Sequence, residues 1–172
     1  MLRELGPLIR DIPDFPKKGI LFKDITTLLK DAAAFRQAID ELTDLVRDYQ
    51  PHVVIGMESR GFIFAAPIAY LLGAGFVPVR KLGKLPGEVI STEYDLEYGT
   101  NTLEMHADAV SAGMRVLIVD DLLATGGTVS ATIDLVERLG GTVVAVAFLV
   151  ELTALNGRAR LDNYEVKSLI EF

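Results

Sequence analysis

Two adjacent carboxylates followed by a glycine-rich turn form the stretch of this sequence that is best suited to chemistry. Asp120 and Asp121 follow the apolar run Val116–Val119, which is typical of a strand buried on both faces of a parallel sheet. The turn Thr125–Thr128 comes next and opens a helix-patterned segment, so free N–H groups and closely approachable glycines predict a phosphate site. The carboxylates suit hydroxyl groups or a hydrated metal ion, and the stretch as a whole therefore indicates a sugar phosphate.

The same stretch also fits a structural strand–turn–helix whose acids merely face solvent, and the pattern alone does not choose between the two. Residues 120–128, Asp-Asp-Leu-Leu-Ala-Thr-Gly-Gly-Thr, resemble the phosphoribosyl-diphosphate (PRPP) signature of type I phosphoribosyltransferases. Within that family they are most similar to the adenine phosphoribosyltransferases. The resemblance extends over about residues 13–161, and the family's motifs occur in their usual order.

The resemblance implies a role for each part of this signature. Asp120 and Asp121 would orient the ribose hydroxyls and favour the positive charge that develops at the anomeric carbon. Leu122 would contact adenine, and Mg²⁺ is the expected cofactor, carried mainly by PRPP rather than by an assigned protein ligand. The 5-phosphate of PRPP would bind the turn, at Ala124, Thr125, Gly126, Gly127 and Thr128.

Two further polar loops carry candidate anion-binding residues. Ser59, Arg60 and Gly61 follow the strand-like run 52–57, and they also fit a helix start capped by Ser59 with Arg60 solvated. The resemblance instead implies a diphosphate loop, in which the family has a non-proline cis peptide.

The second loop follows the strand-like run 76–79 and contains Arg80, Lys81 and Lys84. A solvated charged turn is the alternative. By the resemblance these three cations complete the diphosphate site. The family equivalent of Arg80 can reach a neighbouring subunit's site, so a homodimer is implied.

Two β-prone runs, 88–94 and 100–106, indicate a hairpin that could simply be an exposed ribbon. The resemblance implies a flexible flap, about residues 83–106, that closes over the site and excludes water. Glu97 would be the general base that takes a proton from N7 of adenine as N9 attacks, and Tyr98 would contact the diphosphate side. The local sequence alone leaves Glu104 as an equal candidate for the base.

The N-terminal segment, about residues 1–30, has one structural and one functional interpretation. It could be an arm that packs Ile20, Phe22 and Ile25 on the core. The resemblance implies a hood over the base, in which Phe22 stacks on adenine while the backbone at Leu21 and Lys23 reads its polar edge.

Composition limits the class of protein. At 172 residues with no cysteine and two histidines, the chain predicts one domain (1–172) without disulfides or a thiolate or structural zinc site. The net charge of −7 argues against nucleic acid and anionic membranes as partners. No signal peptide is visible, which favours a cytoplasmic location. The uncharged stretch 61–79 is broken by prolines and glycines, so we expect a buried helix, a turn and a strand rather than a membrane span.

Strands alternate with helices along the chain, which predicts an α/β domain with a doubly wound parallel sheet. Together with the flap hairpin and the hood, this is the type I phosphoribosyltransferase fold. We also expect a short N-terminal helix over 2–10, a helix capped by Asp31, and a helix over about 153–161.

The implied reaction is transfer of ribose 5-phosphate from PRPP to N9 of adenine, giving AMP and diphosphate in purine salvage. A transferase for another base and a regulatory sensor of PRPP are the rival functions. The acidic charge and the lack of a spare nucleic-acid-binding element argue against the sensor.

Overall fold

The computed structural model describes residues 3–95 and 99–172. Within these ranges, strands and helices follow one another through a small hairpin, an alternating β/α core and a second hairpin. In chain order they are β1 (Arg10–Pro13), β2 (Leu21–Asp24), α1 (Thr26–Leu29), α2 (Ala32–Val46), β3 (Val53–Met57), α3 (Arg60–Leu72), β4 (Gly75–Lys81), β5 (Val89–Asp95), β6 (Thr100–His106), β7 (Arg115–Leu123), α4 (Gly127–Arg138), β8 (Thr142–Glu151) and β9 (Val166–Glu171).

One seven-stranded sheet, in the order β5-β6-β4-β3-β7-β8-β9, forms the centre of the fold. The strands from β4 to β9 in this order run parallel, while β5 and β6 form an antiparallel hairpin joined to β4 by two residue pairs, Arg80↔Glu104 and Lys81↔Leu103. The predicted parallel α/β sheet is therefore confirmed, with the predicted hairpin attached to its edge.

Helices cover both faces of the sheet, as the doubly wound prediction requires. One apolar cluster packs α2 and α3 against one face, and a second packs α4 against the other. Because β3 is buried along its whole length between these layers, its sequence is continuously apolar rather than alternating. Asp31 caps α2 as predicted, accepting hydrogen bonds from the N–H groups of Ala33 and Ala34.

β7 continues further than its apolar run predicts. Its pairing with β3 ends at Val119, but its pairing with β8 continues to Leu123. Asp120 and Asp121 therefore lie within the strand, on a segment that β3 no longer covers. The two acids were expected where the strand ends, but the strand continues to Leu123, because β8 supports this part of β7 from one side.

The two short helices expected at the chain ends are also wrong in type. In the described part of the expected range, Gly6–Leu8 forms a 3-10 helix and β1 begins at Arg10. Pro7 has no N–H to donate, which disfavours a longer helix running through it. Near the C-terminus two 3-10 helices, Thr153–Leu155 and Gly157–Leu161, replace the single expected helix, with Asn156 between them at φ 51°.

The uncharged stretch 61–79 divides into α3, a turn and β4, as predicted. Across residues 3–95 and 99–172, no helix is both long and apolar enough to cross a membrane.

Asp24 ties the N-terminal hairpin to the helix that follows it, which gives a prediction for acid stability. Hydrogen bonds from Thr26 and Arg10 lower its pKa from 3.8 to about 2. A pKa below the unfolded value means that this carboxylate stabilises the fold above about pH 4 and that the contribution is lost as the pH falls towards 2. Between these pH values, urea midpoints of the wild type should fall more steeply than those of Asp24→Asn. Equal slopes would contradict this, and exposed Asp48→Asn is the control.

Candidate active site

A cleft of about 540 Å³ opens at the carboxyl ends of β3, β4 and β7. Parallel strands place their carboxyl ends at one edge of the sheet, so loops distant in sequence meet there. This cleft is lined by most of the residues that were predicted in the PRPP signature and the diphosphate loop. Four further residues that the sequence did not single out also line it. The lining consists of Glu58, Ser59, Arg60, Lys81, Tyr94, Asn101, Leu103, Asp120, Asp121, Leu122, Ala124 and Thr128.

The two carboxylates face different surroundings. Asp121 is buried, and its Oδ2 lies 2.8 Å from Nε of Arg60, in an ion pair that joins β7 to the start of α3. Asp120 is half-buried, and its Oδ1 accepts a 2.9 Å hydrogen bond from the Asp121 N–H. The alternative in which both acids simply face solvent is therefore wrong.

Burial and proximity make this pair hard to ionise fully. Burial raises the pKa of Asp120 well above its usual range, and the neighbouring Asp121 carboxylate raises it further. Burial also raises the pKa of Asp121, although the Arg60 guanidinium opposes that effect. A positive charge arriving beside the pair would favour the ionised form of both groups. The site is thus suited to a ligand that carries or develops positive charge.

The glycine-rich turn forms the start of α4, as expected for an anion site. Residues Ala124–Thr128 line a small cavity of about 70 Å³. Gly126 is the N-cap residue at φ 83°, and the N–H groups of the first helical turn have no partner within the helix. Gly157 supports the turn from behind, where a side chain would overlap the carbonyl oxygen of Ala124. The turn can therefore present several N–H groups to one phosphate.

The loop after β3 has the peptide geometry that the resemblance implied. The Glu58–Ser59 bond is cis, and the Ser59 side chain makes no capping hydrogen bond, so the simple capped-helix alternative is wrong. Gly61 lies directly against β7, where an added Cβ would sit 2.8 Å from Oδ1 of Asp120. A side chain at this position would push the loop away from the carboxylates.

Of the three cations at the end of β4 and in the turn that follows it, Lys81 lines the cleft. Arg80 lies beside it, and its Nε donates to Oε2 of Glu58 at 3.1 Å while Nη1 donates to the Lys84 carbonyl at 3.2 Å. The Lys84 N–H donates to the Lys81 carbonyl, which forms the turn, but Lys84 is not among the residues that line the cleft.

Comparison with known proteins identifies the family. Residues 24–172 match the family model described as phosphoribosyl transferase domain. The adenine phosphoribosyltransferase of Alkaliphilus metalliredigens (strain QYMF) is 62% identical over 168 residues, which cover 98% of this chain and 99% of that protein. The chain belongs to the adenine phosphoribosyltransferase family. It is therefore an enzyme of pentosyl transfer.

Solved structures of this family share the fold. Adenine phosphoribosyltransferase from Thermoanaerobacter pseudethanolicus aligns with a TM-score of 0.95 and 58% identity over 98% of both chains. The Giardia lamblia enzyme, complexed with 9-deazaadenine, aligns with a TM-score of 0.93 and 40% identity over 98% of this chain and 96% of its own. The type I phosphoribosyltransferase fold is thereby confirmed.

Three of the four residues predicted to contact the base lie on β2, in the N-terminal hairpin, and the fourth, Leu122, lines the cleft. Phe22 stands beside the cleft, with the Arg60 guanidinium carbon 5.4 Å from its ring centre. Leu21 is exposed, whereas the Lys23 ammonium pairs with Asp11 at 2.7 Å and lies 3.8 Å from the centre of the Phe172 ring. The alternative core-packing interpretation holds for Ile25, which is buried, but not for exposed Ile20.

The two candidates for the general base differ in what the structure shows. Glu97 and Tyr98 lie outside the described residues. Glu104 is buried, accepts a 2.9 Å hydrogen bond from the Gly83 N–H through Oε2, and does not line the cleft. Its carboxylate is thus engaged in shaping the loop that follows β4.

Sequence reasoning missed several residues of the site. Tyr94, Asn101 and Leu103 come from the β5–β6 hairpin, and only their place in the flap region could have suggested them. Glu58 directly precedes the diphosphate loop, which was the available signal. Nothing in the sequence pointed to Gly157, because its contact with the turn joins parts of the chain that are distant in sequence.

The Gly126 position gives a test of the phosphate turn. In Gly126→Ala the new Cβ would lie 2.8 Å from the Gly157 carbonyl oxygen, at a φ of 83° that strains any side chain. The turn must shift, so we expect ribose 5-phosphate to bind at least about tenfold more weakly by calorimetry. Gly113→Ala is the matched control, because it has the same kind of φ, 79°, with no atom within 4 Å of the added Cβ. Equal losses in both variants would contradict the assignment.

Proposed function

We propose that the protein uses this cleft to transfer ribose 5-phosphate from PRPP to N9 of adenine, giving AMP and diphosphate in purine salvage. The transfer is the activity for which the family is named. The observation that carries its location is the carboxylate pair of β7, which shares one cleft with residues of the phosphate turn and with Arg60 and Lys81.

The two phosphate-bearing ends of PRPP bind on opposite sides of this pair. The 5-phosphate lies in the turn Ala124–Thr128, where backbone N–H groups and the Thr125 and Thr128 hydroxyls hold it. The diphosphate binds the loop that contains Ser59, Arg60 and Gly61. Arg80, Lys81 and Lys84 supply the remaining positive charge, and Tyr98 contacts the same side. The chain's overall charge of −7 makes these local cations essential.

The carboxylates hold the ribose between those ends. Asp120 and Asp121 accept hydrogen bonds from the ribose hydroxyls and so fix the anomeric carbon opposite the base. As the bond to diphosphate breaks, positive charge develops on the ribose ring. The buried negative charge of the pair stabilises it more strongly than an exposed carboxylate could.

The residues of the cleft fit a magnesium ion that arrives with the substrate. Within the described ranges there is no group of three or more His, Asp or Glu side chains that could hold a metal. Mg²⁺ commonly binds one or two carboxylates together with substrate phosphates and waters, and Asp120 and Asp121 can provide that contact. When bound, Mg²⁺ neutralises charge on the departing diphosphate.

Adenine lies between the hood and the end of β7. Phe22 stacks on the ring from one side and Leu122 contacts it from the other, which tolerates any purine. The backbone at Leu21 and Lys23 distinguishes adenine by its polar edge. The Lys23–Asp11 ion pair supports this selection by holding the Lys23 side chain away from the base.

We also propose a homodimer. α3 exposes Ile63, Tyr70 and Leu71 on one face, and Phe76 of β4 is exposed beside it. A second copy is the expected partner because the resemblance implies a homodimer, in which the family equivalent of Arg80 reaches a neighbouring subunit's site. The single domain and the cytoplasmic location stay predictions of the sequence.

Incubation with PRPP, Mg²⁺ and each of five bases tests the function. Diphosphate release should be fast with adenine and at least about a hundredfold slower with hypoxanthine, guanine, xanthine or uracil. Comparable rates with another base would contradict the adenine assignment. Binding of PRPP without turnover of any base would favour the sensor instead.

Replacement of each flap glutamate separates the two candidates for the general base. We expect Glu97→Gln to slow the chemical step by about a hundredfold or more, because adenine must shed a proton as N9 attacks. Glu104→Gln should retain most of the rate, since its carboxylate serves the Gly83 N–H rather than the cleft. Single-turnover rates under saturating PRPP measure this step. A large loss confined to Glu104→Gln would overturn the assignment.

Light scattering tests the dimer. The wild type should have twice the 18.7 kDa mass of one chain, and Tyr70→Glu should shift it towards the monomer by burying a charge at the interface. Leu45→Glu makes the same kind of change at an exposed apolar residue of α2 and should leave the mass unchanged. A wild-type monomer at micromolar concentration would contradict the proposal.

A further inference from the structure

An acidic side chain lies where a polyanion is expected to bind. Glu58 lines the cleft beside Ser59, Arg60 and Lys81, in the part that we assign to diphosphate. A carboxylate at this place repels the ligand, and its side chain is only 17% exposed, so solvent does little to screen it. Its presence calls for a compensating role.

Glu58 makes two contacts with the cationic loop through one oxygen. Its Oε2 accepts hydrogen bonds from Arg80 Nε and from the Lys81 N–H, both at 3.1 Å. Burial alone would raise the pKa of Glu58, but these N–H groups and the positive charge of Arg80 hold it below its usual range. The group is therefore a fixed anion that joins the end of β3 to the end of β4.

The way in which Arg80 is held leaves its ligand-binding end available. Nε is used by Glu58 and Nη1 by the Lys84 carbonyl, whereas Nη2 makes no hydrogen bond within residues 3–95 and 99–172. A guanidinium has five N–H donors, so Nη2 and the second N–H of Nη1 remain for a ligand. We propose that Glu58 is a positioning residue that fixes Arg80 through Nε so that Nη2 stays available to diphosphate. This role rests on the proposed function of the cleft.

Arg60, which does line the cleft, is held in the same manner. Arg60 approaches Oδ2 of Asp121 through Nε, at 2.8 Å, from the neighbouring loop. In the first pair Glu58 follows β3 and Arg80 lies in the neighbouring strand β4, and in the second Asp121 lies in β7 and Arg60 begins α3, directly after the neighbouring strand β3. In both cases an acid at the carboxyl edge of the sheet holds an arginine from an adjacent strand or its helix through Nε.

A competing role for Glu58 predicts the opposite change in diphosphate affinity. If Glu58 only occupied Arg80 as a stand-in for the anion, its removal would free the arginine and also remove a repulsive charge. Diphosphate would then bind more tightly to Glu58→Gln. If Glu58 positions Arg80, the same variant binds diphosphate more weakly, because the loss of orientation outweighs the loss of repulsion.

Calorimetry with Mg²⁺ and diphosphate shows directly whether the affinity for diphosphate rises or falls. We expect Glu58→Gln to bind about three- to tenfold more weakly than the wild type and the KM for PRPP to rise similarly, with the KM for adenine unchanged. Glu165→Gln is the matched control, since Glu165 also pairs with a cation, Lys167, and does not line the cleft. Unchanged or tighter diphosphate binding in Glu58→Gln would overturn the inference.

A double-mutant cycle with Arg80→Gln shows whether Glu58 acts through Arg80. Adding Glu58→Gln to Arg80→Gln should weaken diphosphate no further, whereas additive losses would overturn the inference. Thermal unfolding identifies a variant that fails to fold. In that event Glu58→Asp replaces it: retraction of the carboxylate should weaken diphosphate, and unchanged binding would contradict positioning. Failure of the wild type to bind diphosphate would instead count against the proposed function.

Discussion

The ion pair between Arg60 and Asp121 is the interaction on which the rest of the cleft depends. Asp120 and Asp121 are consecutive and poorly solvated, and two such carboxylates cannot both ionise easily without a cation. Arg60 supplies that cation from the start of α3, and Gly61 lets the helix approach β7 closely enough to do so. Arg60 therefore balances the charge of the two acids and also fixes the position of the diphosphate loop.

The parallel sheet makes this arrangement possible by gathering three strand ends at one edge. β7 brings the acids and the phosphate turn, β3 brings Arg60 and Glu58, and β4 brings Lys81 and Arg80. Because β7 extends beyond its pairing with β3, its acids stand free on the side from which Arg60 arrives. Binding of a ligand with two anionic ends and a central sugar follows from this layout of charge.

Local sequence signals predicted the parts of the fold that depend on short-range physics. The apolar run into β7, the glycine turn before α4 and the Asp31 cap of α2 are each readable within a few residues. The pairing of β1 with β2 was not predicted, because it depends on contacts between separate segments rather than on a local pattern. The role of Glu58 was missed for a similar reason, since its contacts with Arg80 and Lys81 span 22 and 23 positions of sequence.

The central claim is that the charge of the paired carboxylates, balanced by Arg60, drives transfer from PRPP. Asp121→Asn keeps the shape of the side chain but removes its charge, and Asp134→Asn makes the same change in an exposed ion pair on α4. The account predicts that kcat/KM for PRPP falls by about tenfold to a hundredfold in Asp121→Asn, at an unchanged unfolding midpoint, and stays near wild type in Asp134→Asn. A wild-type value of kcat/KM in folded Asp121→Asn would contradict it.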